Sequence, residues 1–241
     1  MASKINSVWK NISVIIGLWL AVSSVASASP TVGATRLVFD GAKHESSITV
    51  RNGDDTAYLI QSWADAKGAD GKKADAAKPP FMITPPLFRM EAKSANQLRV
   101  IRTGGDLPED RESVFWMNIK AIPPSDPDAK NTLQFAINTR IKLFFRPAGL
   151  PDIKGAAWQN VSFERRGKQL FVTNPLPFYL TFSRLSVGVT DVVTTGVMVP
   201  PKGTASYTLP AAANGKVSWA LINDYGGASP LFSAVLGDGS K

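Results

Sequence analysis

Apolar and polar residues alternate along most of the chain, the period of strands that bury one face. Short runs with this pattern recur about every dozen residues: TRLVFD (35–40), SITVRN (47–52), YLIQSW (58–63), PPLFRM (85–90), NQLRVIR (96–102) and SVFWMNIKAI (113–122). Clusters of Gly, Pro, Asn and Asp separate them, as in NGDD (52–55) and PPSDPDAKN (123–131). After RPAGLPD (146–152), which breaks the rhythm, the runs resume: AWQNVSF (157–163), QLFVTN (169–174), FYLTFSRLSV (178–187), VTTGVMV (193–199), ASYTLP (205–210), VSWALIND (217–224) and LFSAVL (231–236). No segment sustains a 3.6-residue apolar repeat, so helices are expected to be few and short. The pattern predicts an all-β fold of two immunoglobulin-like sandwiches, divided at 147/148. The polar stretch ADAKGADGKKADAAKPP (64–80) is expected to be a mobile loop without a site.

One segment carries an anomaly. In LQFAINTRIKLFFRP (133–147), Leu133, Phe135 and Ile137 alternate with polar or small residues, yet Arg140, Lys142 and Arg146 follow on the same strand. A core strand does not ordinarily hold three cations.

The first residues read as a secretory leader: Lys4 and Lys10, an apolar run from Ile12 to Val22, then Ala26-Ser27-Ala28 before a cleavage point. The run is well short of the roughly 20 residues that span a bilayer, so residues 1–28 are expected to be a removed signal peptide rather than an anchor. The mature chain, 29–241, is then exported. Its formal charge falls from +8 to +6 with Lys4 and Lys10 gone, and the remaining cations are scattered, a poor match to nucleic acid. There is no cysteine, which excludes thiol chemistry and disulfide staples. The one histidine, His44, lies in the turn-like stretch GAKHES. A Ser-His-Asp arrangement would rest on that residue alone, zinc sites of ordinary composition cannot be assembled, and no phosphate-binding glycine loop occurs. The sequence therefore predicts neither an enzyme nor a metal or cofactor.

Six stretches, in order, resemble the periplasmic pilus chaperones, the family of the P-pilus and type 1 pilus chaperones: TRLVFDG (35–41), TPPLFRME (84–91), LPEDRESVFWMNIKAIPP (107–124), LQFAINTRIKLFFRP (133–147), VTNPLPFYLTF (172–182) and INDYGG (222–227). The resemblance covers essentially the whole mature chain. It implies two immunoglobulin-like domains in a boomerang with a cleft between them, the first (29–147) binding the pilin and the second being 148–241. It also implies a periplasmic location and a non-enzymatic function: pilus subunits, sandwiches that lack one strand, are held by donor-strand complementation and passed to an outer-membrane usher. The short connection before the donor strand resembles the short-loop branch of the family, and Pro85-Pro86 after Thr84 resembles a family turn that can hold a cis peptide.

Carried over residue by residue, Leu133, Phe135 and Ile137 match the alternating donor residues, with Phe135 bulkier than the aliphatic residue common there. Arg36 and Lys142 match the pair that grips the subunit's C-terminal carboxylate. Glu112, Arg146 and Asp224 match an interdomain salt-bridge network with a structural role. Strict alternation sets Lys142 on the face opposite Ile137, so a twist or bulge is expected between them. A donor edge without a partner is an aggregation hazard, so self-association, as in a self-capping dimer, or capping by a partner is expected. The alternative from a different class is a secreted two-domain β-sandwich adhesin or carbohydrate-binding module, whose site would be loop aromatics rather than an edge.

Overall fold

The computed structural model describes residues 29–72, 78–125, 128, 133–150, 158–211 and 213–238. The leader expected over 1–28 lies outside the described residues, as do 73–77 of the polar stretch and much of the short connection before the donor strand. Among the described residues there is no α-helix, and none long and apolar enough to cross a membrane.

The first half contains β1 (Thr31–Val32), β2 (Arg36–Asp40), β3 (Glu45–Arg51), β4 (Tyr58–Asp65), β5 (Phe81–Thr84), β6 (Leu87–Met90), β7 (Ala95–Arg102), β8 (Ser113–Ile122) and β9 (Ile137–Arg146). They form a four-stranded sheet in the order β1-β3-β7-β5 and a five-stranded sheet in the order β2-β9-β8-β4-β6. Alternation selects the inward face. Ile48 and Val50 of β3 and Leu98 and Val100 of β7 meet Ile60 of β4 and Ile141, Leu143 and Phe145 of β9 in one core. Phe39, Phe81, Phe115 and Phe145 pack within it in tilted or edge-on pairs. The central strand β8 is buried on both faces: Phe115, Met117 and Ile119 point to the core, while Trp116 and Asn118 are covered from the other side. The Thr84–Pro85 peptide bond is cis.

The second half contains β10 (Ser162–Arg166), β11 (Gln169–Asn174), β12 (Phe182–Val187), β13 (Thr190–Asp191), β14 (Gly203–Thr208), β15 (Val217–Leu221), β16 (Phe232–Ala234) and β17 (Gly237–Asp238). Its sheets run β14-β11-β10-β17 and β13-β12-β15-β16, around a core centred on Trp219, which packs 4.6 Å from Phe163. Among the described residues no sheet mixes strands of the two halves.

Several strand readings need correction. VTTGVMV forms no strand; its only ladder contact is an isolated bridge from Val199 to Leu180. FMIT (81–84) is a strand that pairs with β7, although the prolines that follow it masked its period. The polar stretch is not wholly a loop either. Ala64 and Asp65 finish β4, and Asp65 is buried.

Candidate functional site

β9 is bordered on one side by β8 along nearly its whole length, Ile137 opposite Ala121 through to Phe145 opposite Ser113. On its other side β2 pairs in parallel only with its last five residues, from Arg36 opposite Lys142 to Asp40 opposite Arg146. Among the described residues, Ile137 to Ile141 therefore present a free strand edge. Its N–H and C=O groups are an open template for another chain.

The side chains follow from the same geometry. Odd-numbered positions of β9 face the core, and Ile141, Leu143 and Phe145 are buried there. The same alternation continues backwards past the end of the core. Ile137 is 47% exposed, Phe135 70% and Leu133 78%. These are large apolar groups on a face their own sandwich does not cover. Leu133 to Ala136 pair with no strand, so β9 is shorter at this end than its apolar pattern suggests.

Even-numbered positions face the cleft. Arg36 and Lys142 are direct neighbours across β2 and β9. Arg36 is buried, its guanidinium donates to the Ile222 carbonyl at 3.1 Å, and it lies over the Phe144 ring. Burial lowers its pKa from the usual value, against the pull of Asp224 and Glu112. Lys142 donates to Thr181 Oγ1 at 3.4 Å. Burial, and then the positive charge of Arg36, bring its ammonium down to about 8. Among the described residues neither cation has a carboxylate within ion-pairing distance, whereas their neighbour Arg146 has two. Two like charges held side by side in a half-desolvated crevice set up a positive potential that attracts an anion.

Glu112, Arg146 and Asp224 come together beside this pair. Arg146 donates to Glu112 Oε1 at 2.9 Å and grips Asp224 with two bonds of 2.7 and 2.9 Å. Its guanidinium stacks on Phe178. Both carboxylates hold it charged. Glu112 is buried, which pushes its carboxyl up, while Arg146 and the Tyr179 N–H at 2.9 Å draw it back. Asp224 sits on a tight turn in which Asn223 Oδ1 accepts from the N–H groups of Tyr225 and Gly227. Gly226 has φ of 86°, and a Cβ there would stand 2.7 Å from Thr35 Oγ1 in the first sandwich. Glycine is required both by the backbone and by the close approach.

The bulge expected between Ile137 and Lys142 does not occur. The register of β9 against β8 has no shift, and the two residues stay on opposite faces of one regular strand. Sequence reasoning also missed three contacts. Arg36 is tied to a backbone carbonyl, which leaves no trace in composition. Lys202 of the second sandwich donates to Asp110 of the first at 2.7 Å. Arg140 pairs with Asp65 through two bonds of 2.6 Å, a contact hidden because Asp65 opens a stretch that reads as loop.

Comparison with known proteins places both halves. A family model described as the pili and flagellar-assembly chaperone, PapD N-terminal domain, matches residues 30–151, and one described as the pili assembly chaperone PapD, C-terminal domain, matches 156–233. The probable fimbrial chaperone LpfB of Escherichia coli O157:H7 is 41% identical over 229 residues, covering 93% of this chain and 95% of its own. The chaperone protein FimC of Escherichia coli K12 is 39% identical over 227 residues, covering 92% and 91%. Among solved structures, a chain from the complex of the Salmonella enterica SafA pilin with the SafB chaperone superimposes with a TM-score of 0.77 at 36% identity, covering 88% of this chain and 99% of that one.

Proposed function

Since the chain belongs to the PapD-like pilus assembly chaperones, we propose that it holds incomplete pilin subunits by lending them the free edge of β9. Arg36 and Lys142 grip the subunit's terminal carboxylate. The observation that carries this reading is the edge itself: main-chain groups open from Ile137 to Ile141, three exposed apolar side chains beside them, and an unpaired double cation where the opening ends.

The polarity of the bound chain follows. β2 runs parallel to β9 and begins at Arg36. A segment laid on the free edge in line with β2, and running the same way, meets Arg36 and Lys142 with its C-terminus. Its main chain lies in the sheet plane, but a terminal carboxylate is free to tilt toward the cleft face where the cations stand. This removes any need for a bulge in β9. Leu133, Phe135 and Ile137, on the opposite face, fill the groove of a sandwich that lacks a strand, each burial contributing about 1.5 to 3 kcal/mol before ordering costs. The fixed end sets the register, since a slip of one residue would turn all three away.

The chaperone acts in the periplasm, by holding rather than by catalysis, and hands its subunit to an outer-membrane usher. We take 29–147 as the subunit-binding domain. Glu112, Arg146 and Asp224 keep the second sandwich at the angle that places Thr181 and Ile222 beside the cations. Family membership displaces the adhesin or carbohydrate-binding alternative.

Co-expression with an incomplete pilin from the same organism tests the anchor. Arg36→Ala and Lys142→Ala are each expected to lower the recovered soluble pilin about tenfold or more, the loss of a charge-assisted bond. Recovery at the parent's level from both variants would discard it.

A further inference from the structure

Arg140 lies on the cleft face of β9, two residues before Lys142, and unlike Lys142 and Arg36 it is paired with a carboxylate. Its Nη1 and Nη2 donate to the two oxygens of Asp65 at 2.6 Å each. Nη1 also reaches Asn118 Oδ1 at 2.8 Å, and Nη2 reaches the Gly68 carbonyl at 2.7 Å. The guanidinium lies over the Trp116 ring, 5.0 Å away. Asn118 and the Lys67 N–H complete the hold on Asp65, each at 2.8 Å. Both charged side chains are well covered, at 17% and 12% exposure. The Nε of Arg140 is buried with no partner, so the group is turned to serve Asp65 at the expense of one of its own donors.

The ladder registers give this pair its meaning. Asp65 is opposite Trp116, Trp116 is opposite Lys142, and Lys142 is opposite Arg36, so these four residues form one row across β4, β8, β9 and β2. Asp65 is thus two strands from Lys142 on the same face, about 10 Å between main chains, a gap that a lysine and an aspartate side chain can close. It is the only carboxylate in that row.

We infer that Arg140 is a positioning residue for the anchor: by occupying Asp65 it keeps an internal carboxylate from competing with the subunit's terminus for the Lys142 ammonium. This rests on the reading of Lys142 and Arg36 as a carboxylate grip. The Arg140 side chain touches no ligand in that role, although its main chain belongs to the free edge. The other charged and titratable groups on the cleft side of the elements packed about Lys142 are Arg36, Arg146, Glu112, Asp224 and Tyr179, with Lys120 of β8 and Asp40 of β2 farther along the same face. Glu112 and Asp224 are held by Arg146, and the exposed Asp40, at the far end of β2, faces Lys43 at 3.8 Å. Two arginines thus occupy the carboxylates nearest the grip, Arg140 holding Asp65 and Arg146 holding both Glu112 and Asp224, and Arg36 and Lys142 are left without one. An arginine suits the task because its planar fork meets both oxygens of Asp65 at once.

The test uses the full mature chain and a soluble peptide of alternating valine and serine, with a free C-terminal carboxylate or with the terminus amidated. The parent is expected to bind the acid form about tenfold tighter than the amide. Arg140→Met is expected to lose most of that difference while binding the amide as the parent does, and the Lys142 titration, followed by carbon NMR of its side chain, should move upward. The double variant Asp65→Asn/Arg140→Met is expected to regain both the difference and the parent's titration, and it also covers the case in which the single variant, with Asp65 left buried and unpaired, fails to fold. Arg140→Met retaining the full preference for the acid, or the double variant remaining as weak as the single one, would overturn the inference and leave the grip standing. A parent that binds acid and amide alike would sink the grip itself, and the role of Arg140 with it.

Discussion

Lys142 shows how much of this surface depends on a single ionisation. Its ammonium sits half-buried beside Arg36, bonded among the described residues to the Thr181 hydroxyl alone, and it releases its proton at about 8 instead of the ordinary 10.5. The consequences for stability and for binding have opposite signs. Between pH 8 and 10.5 the unfolded chain keeps the proton that the folded chain has lost, so the unfolded state binds more protons and the free protein gains stability as pH rises through that window. A subunit carboxylate needs the charged form. Affinity for a chain with a free terminus should be full below pH 8 and fall as pH rises past it, while the amidated chain is unaffected. Isothermal titration at several pH values measures this. Lys142→Arg should remove the decline, because a guanidinium stays charged throughout. A parent profile that is flat between pH 7 and 9 would contradict the assignment of the grip to this ammonium.

At the scale of the element, β9 is one regular strand with two environments. Its apolar core-facing positions are Ile141, Leu143 and Phe145 at one end and Ile137 at the other, with Phe135 and Leu133 beyond it, and of these the first three are covered. Because Phe135 supports nothing in its own sandwich, Phe135→Glu should leave the unfolding free energy within about 0.5 kcal/mol of the parent while sharply reducing pilin capture. Core contacts made by the same face behave differently, and Leu143→Ala should cost about 2 to 5 kcal/mol in urea unfolding. Equal effects of the two substitutions on stability would mean that Phe135 is packed in the free chain.

The period-2 pattern of this strand was legible in the sequence because the donor face and the core face are the same face. Its partner on each side was not, since strand order is decided by long-range pairing. The free edge ends at Arg36 because β2 happens to begin there, about a hundred residues away in sequence. Local composition misled in two places. The alternating valines of VTTGVMV suggested a strand, yet they sit at a sheet margin, with Val193 exposed and only Val199 bridged. Asp65 was hidden by the glycines and lysines that follow it, although its own bonds make it part of the sheet.

At the scale of the whole molecule, the cleft exists only while the two sandwiches keep their angle. Among the contacts that hold it are the Arg146 network, the bond from Arg36 to the Ile222 carbonyl, and the pair between Lys202 and Asp110. They differ in burial, and burial decides what each removal does. Glu112 is 3% exposed at its side chain and also accepts from the Tyr179 N–H, so Glu112→Ala leaves a buried donor and an under-compensated Arg146. It should destabilise the chain by about 3 to 5 kcal/mol. Asp224 is 48% exposed, and the cost of Asp224→Ala should stay under about 1 kcal/mol because water screens what remains. The two variants should nevertheless agree in solution scattering. Asp224 anchors the turn that carries Asn223 and Gly226 against Thr35, so its loss frees the second sandwich to swing and broadens the distribution of interdomain angles. Thr181 and the Ile222 carbonyl then move away from the cations, and capture of a free carboxylate weakens although stability hardly changes. An Asp224→Ala chain that scatters like the parent and keeps the parent's preference for acid over amide would show that the angle is set by the hinge and not by this network.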